Sequence, residues 1–291
     1  MPDDRGLGAA RRAPAVVTVS TAAGPASAGS TSSLPDVPQY TMLGIRVGAY
    51  DIPRLNACIA SAIADDRRIV IANHNLHSVY LHSRDARLRE FHAGADVCHA
   101  DGMAVIALGR LLGVPLTKRD RVTYVDWIGP LLAQAARSGW RVFALGGQPG
   151  VFELAATRLR AAHPGLALDG THGYFDAAAG SAGTAAMLAR IAAFRPHVLL
   201  VGMGMPRQEY WVQDNRAALT ANATLIAGAA FDYVAGIVPT PPRVASAAGF
   251  EWLWRLVVEP RRLWRRYLVE PWWVLGLVIS EWTGRRLRGG Q

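Results

Sequence analysis

The chain has 291 residues, a formal net charge of +9 and an apolar fraction of 51%, so it is long enough to bury a sizeable core. Its two cysteines, Cys58 and Cys98, exclude a disulfide-based scaffold and lack the clustered spacing of a zinc site. We therefore expect a folded protein of the reducing cytoplasm. Nucleic acid, phospholipid head groups and diphosphate substrates are the candidate partners for its positive charge.

The first 38 residues differ in composition from the rest of the chain. They are rich in Ala, Ser, Gly, Pro and Thr, and no continuous apolar segment follows Arg11 and Arg12. This composition predicts a disordered tail rather than a signal peptide or a packed element.

From about residue 40, short β-rich runs alternate with Ala- and Leu-rich amphipathic segments, which is typical of a parallel sheet covered by helices. The predicted strands are 68–72, 96–99, 141–145, 197–201 and 223–226. The predicted helices are 76–82, 103–112, 126–138, 151–162, 184–194 and 208–219. These elements indicate an α/β fold with a Rossmann-like parallel sheet flanked by helices.

Five loops follow predicted strands, and ligands of open parallel sheets bind beyond the carboxyl ends of the strands. In the loop 146–150, Gly147, Pro149 and Gly150 can let a phosphate approach the start of the next helix. A tight turn explains the same residues equally well. Neither the dinucleotide fingerprint nor the P-loop motif occurs in the chain, which argues against ordinary dehydrogenases and P-loop enzymes.

The loops 202–208 and 228–232 carry groups suited to a nucleotide or a sugar. Gly204 stands in a glycine-rich turn, and Gln208 can exchange hydrogen bonds with sugar hydroxyls or a uracil edge. Helix capping by Gln208 and Glu209 is the alternative. Phe231 can wall a base and Asp232 can bind ribose, although Asp232 can equally well order its own loop.

Asp101 is the leading candidate for a catalytic carboxylate. It ends a predicted strand between Ala100 and Gly102, where small neighbours leave room for a substrate, although such an Asp more often caps a helix. Asn73 and Asn75, at the end of the preceding strand, can place amides beside it. No nearby carboxylate joins the histidines at positions 74, 77 and 82, and no Asp-x-Asp motif is present, so we expect no metal.

The C-terminal segment is cationic and aromatic. Residues 243–291 hold nine Arg, no Lys, four Glu and six of the nine Trp. Guanidinium groups match phosphate oxygens and tryptophan rings favour the bilayer interface, so this helical segment suits a lipid-linked phosphate at an anionic membrane. Its longest apolar run, 272–279, is far below the roughly 20 residues that span a bilayer. Docking of the aromatic face on the core, or nucleic-acid binding, would also explain the composition.

Seven phrases stand in order along residues 42–270. They are Ala100-Asp101-Gly102-Met103, Arg121-Val122-Thr123, Gly146-Gly147-Gln148-Pro149-Gly150, His172-Gly173-Tyr174-Phe175, Gly202-x-Gly204-x-Pro206-x-Gln208-Glu209-x-Trp211, Phe231-Asp232-x-x-Ala235-Gly236, and Gly249-Phe250-Glu251-Trp252 leading to Glu259-Pro260-Arg261-Arg262. This combination resembles the WecG/TagA/CpsF glycosyltransferases of bacterial surface-polysaccharide assembly.

The resemblance implies an inverting, metal-independent hexosyltransferase. It would move a hexose or N-acetylhexosamine, of glucose or N-acetylmannosamine type, from a UDP-sugar to a polyprenyl-diphosphate-linked saccharide, with no cofactor. Asp101 would deprotonate the acceptor hydroxyl. Asn75 matches a position near the sugar, and Arg121 and Gln208 match active-site positions, with Arg121 steadying the charge on the leaving diphosphate.

The resemblance also assigns a role to the C-terminal arginines. Arg255, Arg262 and Arg265 match arginines of an appendage that closes over the site and touches the lipid diphosphate, and we place Arg266 on the same surface. The protein would then be peripheral on the inner face of the bacterial cytoplasmic membrane, with a homo-oligomer as a candidate assembly.

Three stretches depart from the family pattern. Asn73-His74-Asn75 stands where many members have Thr-x-Asn, and Tyr124 stands where Gly is usual; both bear on the choice of sugar. Thr240-Pro241-Pro242-Arg243-Val244 replaces a usual Arg-Ala-Pro-x-Trp, which bears on the hinge of the appendage.

The chain is thus predicted to comprise a tail (1–38), a glycosyltransferase core (39–244) and an Arg- and Trp-rich appendage (245–291). Two other classes of function stay open. A non-catalytic module that binds nucleotide or lipid phosphate would tolerate Asp101→Asn, whereas a nucleic-acid-binding protein would bind DNA or RNA with a steep dependence on salt.

Overall fold

The computed structural model describes residues 19–20, 34–240 and 251–288. Most of the predicted tail and the segment 241–250, with Arg243 and most of the departing hinge sequence, lie outside the described residues. Within the predicted tail, Val19–Ser20 forms a short strand and Val37 is buried.

In the described parts of the chain, nine strands form one sheet. They are β1 (Val19–Ser20), β2 (Gln39–Met42), β3 (Ile45–Gly48), β4 (Ile69–His74), β5 (Val97–Ala100), β6 (Arg141–Gly146), β7 (Ala167–Thr171), β8 (Val198–Gly202) and β9 (Ala223–Ile226). Their order is β1-β2-β3-β5-β4-β9-β8-β6-β7. β1 and β3 pair with β2 in antiparallel fashion, and all other pairings are parallel.

Twelve α-helices are described around and beyond this sheet. They are α1 (Ile52–Ala64), α2 (Leu76–Arg84), α3 (Ala86–Gly94), α4 (Met103–Leu111), α5 (Tyr124–Ser138), α6 (Val151–Ala162), α7 (Ala182–Phe194), α8 (Arg207–Asn215), α9 (Ala230–Val234), α10 (Glu251–Val258), α11 (Pro260–Trp264) and α12 (Glu270–Arg288). A π-helical turn, Arg265–Val269, joins the last two. The predicted α/β class with a parallel sheet flanked by helices is confirmed.

The central strands are recognisable because both of their faces are covered. Every residue of β4 and β8 is buried, and parallel strands buried on both faces read as continuous apolar runs. The edge strand β7 alternates between buried and accessible positions, so the apolar pattern does not predict it. Helix α8 ends before the predicted 219, at Asn215, whose side-chain amide donates to the Trp211 carbonyl oxygen.

The apolar core is divided by the sheet. One cluster lies between the sheet and α1, α5 and α6, and a second lies on the other face against α3, α7 and α8. A third cluster combines β2, β3 and α4 with Val274 and Val278 of α12, so the C-terminal helix packs on the core. Among the described helices, none is both long enough and apolar enough to span a membrane.

Candidate active site

A cavity of about 740 Å³ lies at the carboxyl ends of the parallel strands, between the sheet and the C-terminal helices. Most of the residues predicted from sequence line it: Asn73, Asn75, Asp101, Gly147, Gly204, Gln208, Asp232, Arg255, Arg262, Arg265 and Arg266. Four predicted residues lie outside the lining: Arg121, Pro149, Gly150 and Phe231.

Asp101 lies directly after β5, where two amides approach its carboxylate. Oδ2 of Asp101 accepts hydrogen bonds from Nδ2 of Asn73, at 3.5 Å, and Nδ2 of Asn75, at 3.3 Å. Its backbone N–H donates to the carbonyl oxygen of His74 on the neighbouring strand, at 2.8 Å. Gly102, not Asp101, occupies the N-cap position of α4, so the capping explanation does not account for Asp101.

The Asn75 side chain makes hydrogen bonds both to the start of α2 and to Asp101. Its side-chain oxygen accepts from the backbone N–H of Ser78 and so caps α2, while its amide nitrogen donates to Asp101. The helix cap therefore fixes the direction in which the amide N–H points. One of the two amides that hold the carboxylate is therefore oriented by the start of a helix.

Arg121 is not among the residues that line the cavity. Its guanidinium forms an ion pair with Asp126 at 2.7 Å, and the hydroxyl of Thr123 donates to the same carboxylate at 3.0 Å. The backbone N–H of Val122 donates to the carbonyl oxygen of Ala100, which ties this loop to the strand that carries Asp101. From this part of the chain, Thr123 and Tyr124 line the cavity.

Glycines let the strand ends on the other side of the cavity lie close together. A Cβ on Gly146 would collide with the carbonyl oxygen of Gly202, and a Cβ on Gly202 would collide with that of Gly228. Backbone groups therefore form this wall. In the loop after β6 the lining consists of Gly147 and Gln148, whereas Pro149 and Gly150 turn outward.

Tyr174, rather than the predicted Phe231, supplies an aromatic ring to this wall. Phe231 was predicted to wall a base, but it is 2% exposed and packs in the core, because α9 lies against α6. Tyr174, which follows β7, lines the cavity with 56% of its surface exposed. Nε2 of Gln148 donates to its hydroxyl at 2.8 Å. The position of Tyr174 three residues after a strand is a signal that could have found it.

Gln208 and Glu209 form a buried pair at the start of α8. Nε2 of Gln208 donates to Oε1 of Glu209 at 2.9 Å, and the N-cap residue is Pro206, so neither side chain caps the helix. Burial raises the pKa of Glu209 to about 7, although the hydrogen bond from Gln208 opposes the shift. Oε1 of Gln208 has no hydrogen-bond partner among the described residues.

The C-terminal helices supply a cationic wall. Arg262 forms a bidentate ion pair with Glu259, at 2.8 and 2.5 Å, whereas Nε of Arg255 is buried with no hydrogen-bond partner in the described chain. Burial lowers the pKa of Arg266, and the Arg255 guanidinium lowers it further. Burial raises the pKa of Asp232 across the cavity. The Arg255 charge thus disfavours the charged form of Arg266, and an anion bound near both guanidinium groups would offset this effect.

The cationic wall is joined to the core through α2. Nδ1 of His77 lies 2.7 Å from Oε2 of Glu270, and both residues line the cavity. Nε1 of Trp273 donates to the Ser83 hydroxyl at 3.0 Å, and the Arg84 guanidinium lies 4.7 Å from the centre of the Trp273 ring. His77 therefore connects α2 to α12 and does not group with the histidines at positions 74 and 82.

Three other histidines, from the end of β4 and from α2 and α3, pack together. The rings of His74, His82 and His92, here called the histidine cluster, have centroids 4.1 to 5.9 Å apart. Burial lowers the pKa of His82 and His92 to about 4, and that of His74 well below its usual value. Within the described ranges, no group of three or more His, Cys, Asp or Glu side chains is arranged to hold a metal ion.

A comparison with protein families agrees with the sequence motifs. The model of the glycosyl transferase WecG/TagA/CpsF family matches residues 40–288, which span the sheet, the cavity and the C-terminal helices. The match confirms the resemblance drawn from the sequence. The chain belongs to the WecG/TagA/CpsF family of glycosyl transferases.

Proposed function

We propose that the protein transfers a hexose or N-acetylhexosamine from a UDP-sugar to a polyprenyl-diphosphate-linked saccharide, with inversion and without a metal, in the assembly of a cell-surface polysaccharide. The observation that carries the proposal is the Asp101 carboxylate, held by two amides in a cavity whose opposite wall is cationic. A general base and a cationic wall are the groups that inverting transfer from a diphosphate requires.

The buried polar atoms of the lining support a sugar as ligand. Oδ1 of Asn73, Oε1 of Gln208 and the hydroxyl of Tyr124 have no hydrogen-bond partner among the described residues. A buried polar group without a partner costs about 1–3 kcal/mol, so a ligand that supplies several hydroxyl groups is favoured. The glycine-lined wall beside Tyr174 suits the donor, with the Tyr174 ring facing the base and backbone N–H groups near the diphosphate.

The proposed reaction is a single displacement at the anomeric carbon of the donor sugar. The Asp101 carboxylate takes the proton of the acceptor hydroxyl while that oxygen forms a bond to the anomeric carbon of the donor. The bond from this carbon to the β-phosphate oxygen breaks, and its electron pair leaves with UDP. Attack from the face opposite UDP inverts the anomeric centre. Gln208 and Asn75 orient the sugars, and Arg255 and Arg266 bind the diphosphate of the lipid acceptor.

Membrane association is the second part of the proposal. The outer surfaces of the C-terminal helices expose large apolar side chains, including Trp272, at 73%, Trp264, at 48%, and Leu268, at 52%. Exposed aromatic and aliphatic residues beside arginines suit the interface of an anionic bilayer. The protein would bind the inner face of the cytoplasmic membrane from this side, where the lipid-linked acceptor lies.

The test is UDP release by the purified protein with a detergent-solubilised polyprenyl-diphosphate-sugar, over a panel of UDP-sugars. We expect release that depends on the acceptor and occurs with one donor sugar. Binding of a UDP-sugar by calorimetry without turnover on any lipid-linked acceptor would favour a non-catalytic module. Salt-sensitive binding of DNA that displaces the UDP-sugar would favour a nucleic-acid-binding protein.

A further inference from the structure

Tyr124 lies in the wall of the cavity on the same side as Asp101. It is the first residue of α5, and the loop before it is tied to β5 by the hydrogen bond from Val122 N–H to the Ala100 carbonyl oxygen, at 2.9 Å. This bond places the start of α5 beside the end of the strand that carries Asp101. Tyr124 lines the same cavity as Asp101, close enough for the Asp101 charge to act on its hydroxyl.

The ring of Tyr124 is fixed from behind. Its centroid lies 5.2 Å from that of Trp127, one turn further along α5. The Trp127 indole N–H donates to Oδ1 of Asn56 at 2.8 Å, and the His99 ring packs edge-on against the indole, with centroids 5.5 Å apart. Since Trp127 is fully buried, it gives the Tyr124 ring a rigid support on that face.

The hydroxyl of Tyr124 lacks a protein partner. Tyr124 is 7% exposed, and its oxygen makes no hydrogen bond to any part of the chain that the structure describes. The oxygen exposes almost no surface to water, so bulk water does not replace the missing partner. Burial, together with the nearby charge of Asp101, raises the pKa of Tyr124 well above its usual value, so the group stays a hydrogen-bond donor and cannot act as a base.

We propose that Tyr124 is a sugar-selecting residue, whose hydroxyl donates a hydrogen bond to a hydroxyl group of the saccharide bound beside Asp101. The inference rests on the proposed glycosyl transfer and adds a specific recognition contact to it. A site that hydrogen-bonds a sugar hydroxyl rejects sugars that lack this hydroxyl, because the protein group is then left buried and unpaired. The saccharide is the donor or the acceptor sugar, and the experiment distinguishes the two.

The test compares kcat/KM of the wild type, Tyr124→Phe and Tyr50→Phe. Tyr50 is the matched control, since it is equally buried, its hydroxyl accepts a hydrogen bond from Gln39 at 3.3 Å, and it lies outside the cavity lining. Each enzyme is measured with the intact substrates, and then with donors and acceptors that each lack one hydroxyl group. Thermal unfolding of the three proteins reports whether the fold is retained.

We expect Tyr124→Phe to lower kcat/KM at least about tenfold with intact substrates, and Tyr50→Phe to leave it unchanged. With one deoxy-sugar, of the donor or of the acceptor series, wild type and Tyr124→Phe should react equally, and this series identifies the sugar that Tyr124 contacts. Full activity of a folded Tyr124→Phe protein would overturn the inference, as would an equal loss with every deoxy-sugar. Either result leaves the proposed function intact, whereas a wild type that neither binds nor turns over any UDP-sugar removes both.

Discussion

Asp101→Asn removes the proposed base and can keep the two amide hydrogen bonds around it. Both amides donate to the same carboxylate oxygen, Oδ2, at 3.5 and 3.3 Å. An asparagine can place its single carbonyl oxygen at that position and keep both hydrogen bonds. The side chain then keeps its size and these two hydrogen bonds, and it loses its negative charge and its ability to take a proton.

The expected loss follows from the role of a general base. Removing such a group slows the chemical step about a hundredfold to ten-thousandfold, which is roughly 3–5 kcal/mol of activation free energy. The negative charge of Asp101 acts on Arg255 and Arg266 and partly offsets their positive charge. Removing it should therefore leave the KM for the lipid-linked acceptor unchanged or lower. The effect of Asp101→Asn is therefore expected in kcat.

The assay is acceptor-dependent UDP release at saturating donor, with kcat and KM determined separately. Asp169→Asn is the matched control, because Asp169 pairs with Arg190 at a partly exposed position outside the cavity lining. Asp101→Ala should unfold at a lower temperature than Asp101→Asn, since it leaves two amide donors unpaired. A folded Asp101→Asn protein that keeps more than about a third of the wild-type kcat, or that changes only KM, would refute the assignment of the base.

Three further outcomes concern stability and membrane binding. The free energy of unfolding should rise with pH between about 4 and 6.5, by up to about 1.4 kcal/mol per pH unit for each residue of the histidine cluster, because the unfolded chain binds protons that the folded one excludes; urea titrations that gave no slope would contradict this. Glu209→Gln should stabilise the protein above about pH 7 but not near pH 4.5, since the raised pKa of Glu209 makes the wild type lose stability as pH rises through this range; equal effects at both pH values would argue against it. Trp272→Ser should weaken sedimentation with anionic vesicles about tenfold, with Leu154→Ser, on the exposed face of α6, as the control; unchanged sedimentation would exclude Trp272 from the membrane contact.

The sheet and the general position of the site can be predicted because they depend on local patterns. Residues 69–72 of β4 and 198–201 of β8 are continuous apolar runs, and in a parallel sheet the residues that follow such runs meet at one edge. Asn75 and Asp101 are therefore brought together by topology alone. The same logic placed Gln208 in the lining of the cavity.

Side-chain direction could not be predicted in the same way. Phe231 and Tyr174 both follow strands, but α9 turns Phe231 into the core and the loop after β7 leaves Tyr174 exposed. Arg121 forms an ion pair with Asp126 and does not line the cavity, which the sequence pattern does not predict. The contact between His77 and Glu270 joins residues far apart in sequence, and no local pattern predicts it.

The burial of Val274 and Val278 in the same cluster as Ala100 determines how the C-terminal helices can be studied. A chain shortened at residue 244 would uncover the apolar side chains that α12 covers, so it would become prone to aggregation and lose the cationic wall at the same time. Its inactivity would not distinguish misfolding from loss of acceptor binding. Single exchanges of Arg255 or Arg266 for methionine, which preserve much of the side-chain packing, separate these two causes.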